Sequence, residues 1–295
     1  MSRTRSAPRP GPDDDLRDAL DRVGRDRVRG ATALARAALR ALRRGIRERG
    51  GRSGAPTAAW VLDVADRLSR AQPAMGTFGR WADDWRRIAR LRSASARARA
   101  LRAWSVREDR RQRAEPTRLA RVAWRRMPRR ARWLTLSHSA TVERIFAGAP
   151  RDVRPREVVV LRSLPGGEGA ELARALRTAG LRVRLVPDRA GPMEAARAEA
   201  VLLGADTVAA DGTLTHKVGT RRVARAAWAA GVPVFVAAAG SKWARRRPVP
   251  RRLPPGFDRT PARWIAEFWT DRGVARSVAA RAREGRQRHP PRGGR

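Results

Sequence analysis

The chain of 295 residues has no cysteine and no tyrosine, and only two of its 67 basic residues are lysines, Lys217 and Lys242. Without cysteine there can be no disulfide, no thiolate metal ligand and no thiol nucleophile. The three histidines, His138, His216 and His289, have no carboxylate at ligand spacing, so the sequence implies no metal and no cofactor. No apolar run approaches the ~18 residues of a bilayer span. The opening "MSRTRSAPRPGPDDD" lacks the apolar core of a secretion signal. A cytoplasmic protein with no membrane partner is expected.

Acidic residues are scarce as well: 28 stand against 67 basic ones, a formal net charge of +39. Such a balance implies a polyanionic partner or self-repelling basic tails. The charge is uneven, with a net of +6 over residues 131–240 and +33 elsewhere. Nucleic acid held by basic termini is one reading. A coding bias toward arginine, alanine, glycine and proline is the other, and charge does not decide between them. The hydrophobic fraction of 42% is sufficient to bury a core.

What the chain does have falls into two blocks. Residues 1–12 are rich in Pro, Arg and Ser and read as a disordered tail. "DDDLRDALDRV" then starts a helix, its aspartates suited to the positive end of the dipole and Leu16, Ala19, Leu20 and Val23 at helical spacing. "VRGATALARAALRALRRGI" reads as a second helix broken near Gly45, and "TAAWVLDVADRLSRA" as a third. The pattern from Trp81 to Arg126 is helical, interrupted around Glu115–Pro116. Residues 13–130 therefore read as a helical domain. From residue 131 the period changes: "RWLTLS", "EVVVLRS", "LRVRLVP", "AVLLGAD" and "PVFVAAA" are short apolar runs separated by helical stretches. Gly180 and Gly231 each close a helix before the next run. Such alternation predicts a parallel sheet with helices on both faces over residues 131–244. Residues 245–283 read as a Pro/Arg-rich arm that docks through its aromatics, and 284–295 as a second disordered basic tail.

Ligands of such sheets sit beyond the carboxyl ends of the strands. "GGEGAEL" at 166–172 has Leu172 where a dinucleotide fingerprint needs its third glycine, which excludes that motif. Its backbone can still face an anion, or form a plain strand-to-helix turn. In "LSHSA" the neighbours Ser137, His138 and Ser139 point to alternate faces, which argues against a Ser–His dyad and for a polar crevice mouth. Asp206 closes the run "AVLLGAD". It suits a general acid/base or an acceptor for sugar hydroxyls, and equally a turn aspartate. Asp211–Gly212 is a tight-turn signal that brings Thr215–Thr220 back toward the same end. There Lys217 is a point charge suited to phosphate. Arg29, before Gly30 at the start of an alanine-rich helix, can also hold a phosphate.

In order, "RVRGATALARAALRAL", "RAQPAM", "LTLSHSATVERIF", "VVVLRSLPGGEGAELARALRTAGLRVRLVPD", "LLGADTVAADGTLTHKVGT" and "GVPVFVAAAGSKW" resemble one family. It joins the α, β and δ regulatory subunits of translation initiation factor 2B with methylthioribose-1-phosphate isomerase and ribose-1,5-bisphosphate isomerase. The resemblance runs from about residue 16 to 243. It implies an α/β protein with an N-terminal helical domain followed by a Rossmann-like domain, assembled as a homo-oligomer. It also implies a phosphorylated sugar or nucleotide bound in the crevice between the two domains. The family's Arg-Gly-Ala phosphate loop matches Arg29, Gly30 and Ala31, and its catalytic aspartate matches Asp206. Its Asn-Lys pair matches His216 and Lys217, so the lysine is kept and the asparagine is not. The second phosphate arginine matches Gln72, the isomerases' catalytic cysteine falls at Ser137, and the arginine of their Thr-Arg-Pro segment is Leu164. The glutamine of their Gln-Gly pair matches Glu168, as in the non-catalytic subunits. A serine hydroxyl is a far poorer acid/base near neutrality than a thiol. The resemblance thus implies a site retained for binding and altered for turnover. An isomerase using Asp206 with help from Ser137, and a basic RNA- or ribosome-associated protein, are the alternatives.

Overall fold

The computed structural model describes residues 12–26, 29–49, 54–244 and 252–275. Most of the expected N-terminal tail, the whole of the C-terminal tail and residues 245–251 and 276–283 of the arm lie outside the described residues. The chain divides into two units. One comprises residues 1–29, 33–73 and 78–111, and the other residues 30–32, 74–77 and 112–295.

The first unit is helical. It is built from α1 (Pro12–Arg25), α2 (Ala31–Arg49), α3 (Ala58–Ala71), α4 (Gly76–Ala89) and the first half of α5 (Ala94–Trp124). Apolar residues at helical spacing turn inward: Leu16, Leu20 and Val23 from α1, Leu34, Ala38 and Leu42 from α2, and Val61, Val64 and Leu68 from α3 are buried. Thr57 caps α3 by accepting the Trp60 N–H at 3.2 Å. Trp60, Trp81, Trp85 and Trp104 pack edge-on or tilted, with ring centroids 5.6–5.8 Å apart.

Two expected helix breaks do not occur. α2 runs through Gly45, which is buried against α1, where a Cβ would meet Leu16 Cδ2 at 2.7 Å. The glycine makes room for α1 rather than ending the helix. α5 runs through Pro116 as one helix of 31 residues. A proline there costs about 3 kcal/mol in lost hydrogen bonding and crowding. Burial of Leu119, Ala120 and Ala123, and a 2.7 Å hydrogen bond from Ser241 Oγ to Glu115 Oε2, work against that cost.

The second unit is α/β. Its main sheet contains β1 (Arg132–Leu136), β2 (Glu157–Leu161), β3 (Val183–Val186), β4 (Ala200–Leu203), β7 (Val234–Ala237), β10 (Glu267–Thr270) and β11 (Gly273–Ala275). They lie in the order β11-β10-β7-β4-β1-β2-β3, all parallel except β11. Alternate residues face opposite sides. Trp133, Val158, Val160, Ala200, Leu202 and Phe235 pack against the end of α5, α6 (Ala140–Ala147) and α7 (Gly169–Thr178). Leu134, Val159, Leu161, Val201, Leu203 and Val236 pack against α8 (Gly191–Arg197) and α9 (Thr220–Ala229). Burial of both faces is why these strands read as continuous apolar runs.

A smaller sheet, in the order β8-β5-β6-β9, is made of β5 (Thr207–Ala209), β6 (Leu214–Lys217), β8 (Trp243–Ala244) and β9 (Phe257–Thr260). β5 and β6 form a hairpin around Asp211–Gly212. There Gly212 has φ +82° and Asp211 accepts the Thr213 N–H at 2.8 Å. Within the arm expected over 245–283, residues 257–260 join the smaller sheet and residues 267–270 and 273–275 the main sheet, with Phe268 and Trp269 fully buried.

Candidate functional site

The chain leaves β1 for β2 and β3 on one side, then returns to place β4 on the other side of β1. The strand order therefore reverses between β1 and β4, the position at which open α/β sheets form a crevice. Ser137 follows β1, and Gly204, Ala205 and Asp206 follow β4.

Ser137 has φ +59° and Ser163, beyond β2, has φ +65°. Left-handed backbone at a residue with a Cβ costs about 1–2 kcal/mol, so other contacts must impose it. The Ser137 N–H donates to Ser163 Oγ at 2.7 Å. The N–H groups of Ser163 and Leu164 in turn donate to Asp188 at 2.7 and 2.8 Å. This frees the Ser137 hydroxyl, which has no hydrogen bond among the described residues.

Asp206 is held by its backbone. Its N–H donates to the Thr215 carbonyl at 3.1 Å, and its carbonyl accepts the Gly76 N–H at 3.0 Å. Its side chain is only 9% exposed, yet the carboxylate has no hydrogen bond or ion pair among the described residues. Its oxygens are not among the buried side-chain atoms that lack a partner, so they keep contact with solvent and can accept from a ligand there. His216 and Lys242 lie close enough for their charge states to respond to it.

His216 is buried on β6, with Nδ1 3.0 Å from Thr220 Oγ1. Burial pushes its imidazole below its ordinary value. Asp206 opposes that shift, while Lys242 and Lys217 add to it. The Lys242 ammonium is likewise pushed down by burial, against the pull of Asp206 and Glu115. Gly204 leaves the space these groups need, since a Cβ there would lie 2.8 Å from Ser139 Oγ and 3.0 Å from His216 Nε2. Lys217 Nζ donates to Glu168 Oε1 at 2.6 Å, and the two side chains are 14% and 19% exposed. Glu168 Oε2 is buried without a hydrogen bond.

The structure thus gathers Ser137, Asp206, His216, Lys217 and Glu168 around the strand ends. Gly30 belongs to the same unit, where a Cβ on it would meet the His138 carbonyl at 3.3 Å, and Ala31 opens α2. Arg29 and Gln72 belong to the helical unit and are already engaged there. Arg29 Nε donates to Asp26 at 2.6 Å, and Gln72 Nε2 donates to the carbonyls of Val23 and Asp26 at 2.7 and 3.2 Å. His138 is bridged by Glu143 at 2.7 Å and Glu171 at 3.2 Å. Thr220 and Glu115 were not singled out from the sequence. Thr220 carries no signal beyond its place four residues after His216, and the proline beside Glu115 disguised it as a helix end. At the opposite, amino end of the strands a hollow of about 440 Å³ is lined by Arg121, Arg125 and Arg129 with Trp124 and Asp152.

Together these groups offer acceptors and ammonium cations to a polar ligand, and one carboxylate able to take a proton. A helical unit and an α/β unit with polar side chains at the switch point define the class as α/β, with an N-terminal helical region. Over residues 27–254 the chain matches the initiation factor 2 subunit family, and it belongs to that family. It is 31% identical over 293 residues to a methylthioribose-1-phosphate isomerase of Gemmatimonas aurantiaca, covering 88% of this chain and 84% of that one. A ribose 1,5-bisphosphate isomerase of Archaeoglobus fulgidus is 34% identical over 105 residues, 36% of this chain and 34% of its own. Among solved structures, translation initiation factor eIF-2B of Pyrococcus horikoshii superposes with a TM-score of 0.74 at 21% identity. That superposition covers 90% of this chain and 98% of that one, a likeness of fold.

Proposed function

We propose that the chain binds a phosphorylated sugar or nucleotide at the carboxyl ends of β1 and β4, and that it acts as a regulatory, non-catalytic homo-oligomer. The carrying observation is the Asp206 carboxylate, buried at 9% exposure with its hydrogen-bonding capacity unused beside His216 and Lys242. Such a group, nearly covered yet reachable from solvent, is placed to accept from a ligand at the strand ends. Moving a proton between two carbons of a sugar needs a second acid/base. Ser137 brings only an aliphatic hydroxyl to that position, with no base bonded to it among the described residues. A tetrameric complex of eIF2B β and δ subunits from Chaetomium thermophilum, alike in fold, supports assembly into an oligomer.

Native mass spectrometry of the purified protein should show a retained phosphorylated small molecule on an oligomer, lost in Asp206→Asn. A protein that carries none, and binds none when offered sugar phosphates and nucleotides, would sink the proposal. One observation favours turnover instead: the alignment to the methylthioribose-1-phosphate isomerase covers most of both chains. Incubation with methylthioribose-1-phosphate or ribose-1,5-bisphosphate decides the point. Ketose that forms with the native protein and fails to form with Asp206→Asn establishes an isomerase.

A further inference from the structure

We infer that the hollow at the amino end of the main sheet binds a single-stranded polynucleotide. One base packs on Trp124, and the phosphodiester beside it is held by Arg121, Arg125 and Arg129. This site lies at the opposite end of the strands from Asp206 and is independent of any ligand bound there.

The hollow measures about 440 Å³, within the ~300–1,000 Å³ of small-ligand sites, and every residue lining it belongs to the α/β unit. Arg121 and Trp124 lie in the last turn of α5, Arg125 and Arg129 follow before β1, and the loop after α6 adds Asp152. The indole is a fixed platform. Its Nε1–H donates to the Ile145 carbonyl at 2.9 Å, and a Cβ on Gly148 would lie 2.9 Å from its Cζ2. An immobilised aromatic ring among cations is the combination that single strands use, because every base has a π face and every link a phosphate. A duplex keeps its bases stacked inside and offers none of them to the ring.

A coding bias toward arginine would scatter the residue without regard to its partners. Around the hollow the arginines are instead sorted. Arg132 is bonded to Glu157 at 2.9 Å, Arg156 to Glu199 at 2.9 Å and Arg184 to Glu194 at 2.8 Å, and Arg126 pairs with Glu267. Arg121, Arg125 and Arg129 have no hydrogen bond or ion pair among the described residues, although Asp152 lines the same hollow. Asp152 and the carboxyl end of α5, equivalent to about half a negative charge, offset only about half of the charge of the three guanidinium groups. The hollow therefore stays positive. Arg118, one turn before Arg121, and Arg130 and Arg151 beside the lining residues are exposed and equally unpaired. A mononucleotide would leave these outer three unused, whereas the neighbouring phosphates of a strand can reach them.

Two measurements on the full chain test this. In fluorescence anisotropy, a labelled oligouridylate or oligodeoxythymidylate of about twelve nucleotides should bind at about 0.15 M salt. Binding of either supports the proposal, and the tighter one names the source of the strand. Each phosphate contact adds about 0.7 to the salt slope of single-strand binding. Arg121→Gln, Arg125→Gln and Arg129→Gln together should therefore lower that slope by about 2 and weaken binding about fiftyfold. Arg36→Gln, Arg47→Gln and Arg92→Gln remove the same charge from exposed positions of the helical unit and should cost about threefold at most. In the second measurement, light-induced crosslinking of a strand carrying 5-iodouridine should label Trp124. Equal losses in the two triple variants, both folded by circular dichroism, overturn the proposal. So do crosslinks that all fall outside the hollow, or the absence of binding by the native chain. Uridine monophosphate bound as tightly as the strand, or a duplex bound more tightly, overturns it as well.

Discussion

Gly169→Ala should destabilise the α/β unit by at least about 2–4 kcal/mol. Gly169 begins α7, and its N–H donates to the Arg162 carbonyl at 3.1 Å. A Cβ at this position would lie 1.8 Å from the Leu161 carbonyl oxygen, 2.9 Å from its carbon and 3.0 Å from the Arg162 oxygen. All three are backbone atoms at the end of β2, which is locked between β1 and β3 and cannot retreat. The start of α7 must therefore move by more than an ångström. Overpacking of this kind costs ~1–3 kcal/mol, and the lost hydrogen bond adds about 1 kcal/mol. The shift also loosens Leu172, Ala173 and Leu176, which α7 buries against Val158 and Val160. The sum falls in the severe tail of single substitutions. Glu168 precedes Gly169, so the 2.6 Å bond to Lys217 should break as well. Gly167→Ala is the control: its φ of +71° carries the left-handed penalty of about 1–2 kcal/mol, and nothing lies within 4 Å of the new methyl. Urea unfolding followed by circular dichroism reads both. If Gly169→Ala costs no more than Gly167→Ala, the close approach of α7 to β2 is not what requires glycine.

Three further expectations follow from buried polar groups. Glu194, 3% exposed, accepts from Arg132 at 2.5 Å and Arg184 at 2.8 Å. Burial alone would push its carboxyl up, but the Arg184 and Arg132 hydrogen bonds and charges together hold it below its ordinary value. Its stabilisation is therefore present above the unfolded carboxyl value of about 4.3 and lost as pH falls through the folded one. Glu194→Gln should lower stability by about 2–4 kcal/mol at pH 7 and converge on the native protein in acid, read as urea midpoints; a deficit constant with pH refutes this. Folded His216 resists protonation while the unfolded chain gains a proton near pH 6.5, so stability falls as pH drops below that value toward the folded one. His216→Asn should remove that part of the acid sensitivity, and an unchanged difference between midpoints at pH 7.5 and 5.5 counts against it. Asp258 accepts the N–H groups of Gly219 and Arg221 at 2.9 and 3.1 Å, at the start of α9. Asp258→Ala should cost about 1–2 kcal/mol by thermal unfolding, and a loss below a few tenths shows the cap to be dispensable.

β1 to β4 and β7 were readable from the sequence because parallel strands buried on both faces become short apolar runs bounded by turn residues. The ends of α7 and α9 were equally plain. Gly180 and Gly231 take φ of +75° and +73°, and the following N–H bonds back to Leu176 and Ala227. β9, β10 and β11 were not readable. "FDRT" and "EFWT" are four residues each, set in a Pro/Arg-rich stretch, and their partners β6 and β7 lie far back in the chain. Pro116 misled for a related reason: local propensity favours a break there, and tertiary burial outweighs it. Within the site, Asp206 and Lys217 announce themselves by residue type at a strand end and after an Asp-Gly turn. Their hydrogen-bond partners do not. That Thr220 meets the His216 ring, or that Glu168 reaches Lys217 across 49 residues, depends on distances only the fold supplies.

The absence of tyrosine and the packing of the helical unit have one more consequence. All near-ultraviolet absorption at 280 nm comes from ten tryptophans, and four of them sit ring to ring at 5.6–5.8 Å with planes near 48°, 86° and 87°. Indoles so close and so inclined share their excited states, and the helical unit should carry an exciton couplet in circular dichroism that vanishes when its core loosens. Trp133 and Trp269 of the α/β unit also pair at 6.3 Å, so a Trp269→Phe variant leaves the couplet to the helical unit, whose integrity can then be followed without any label.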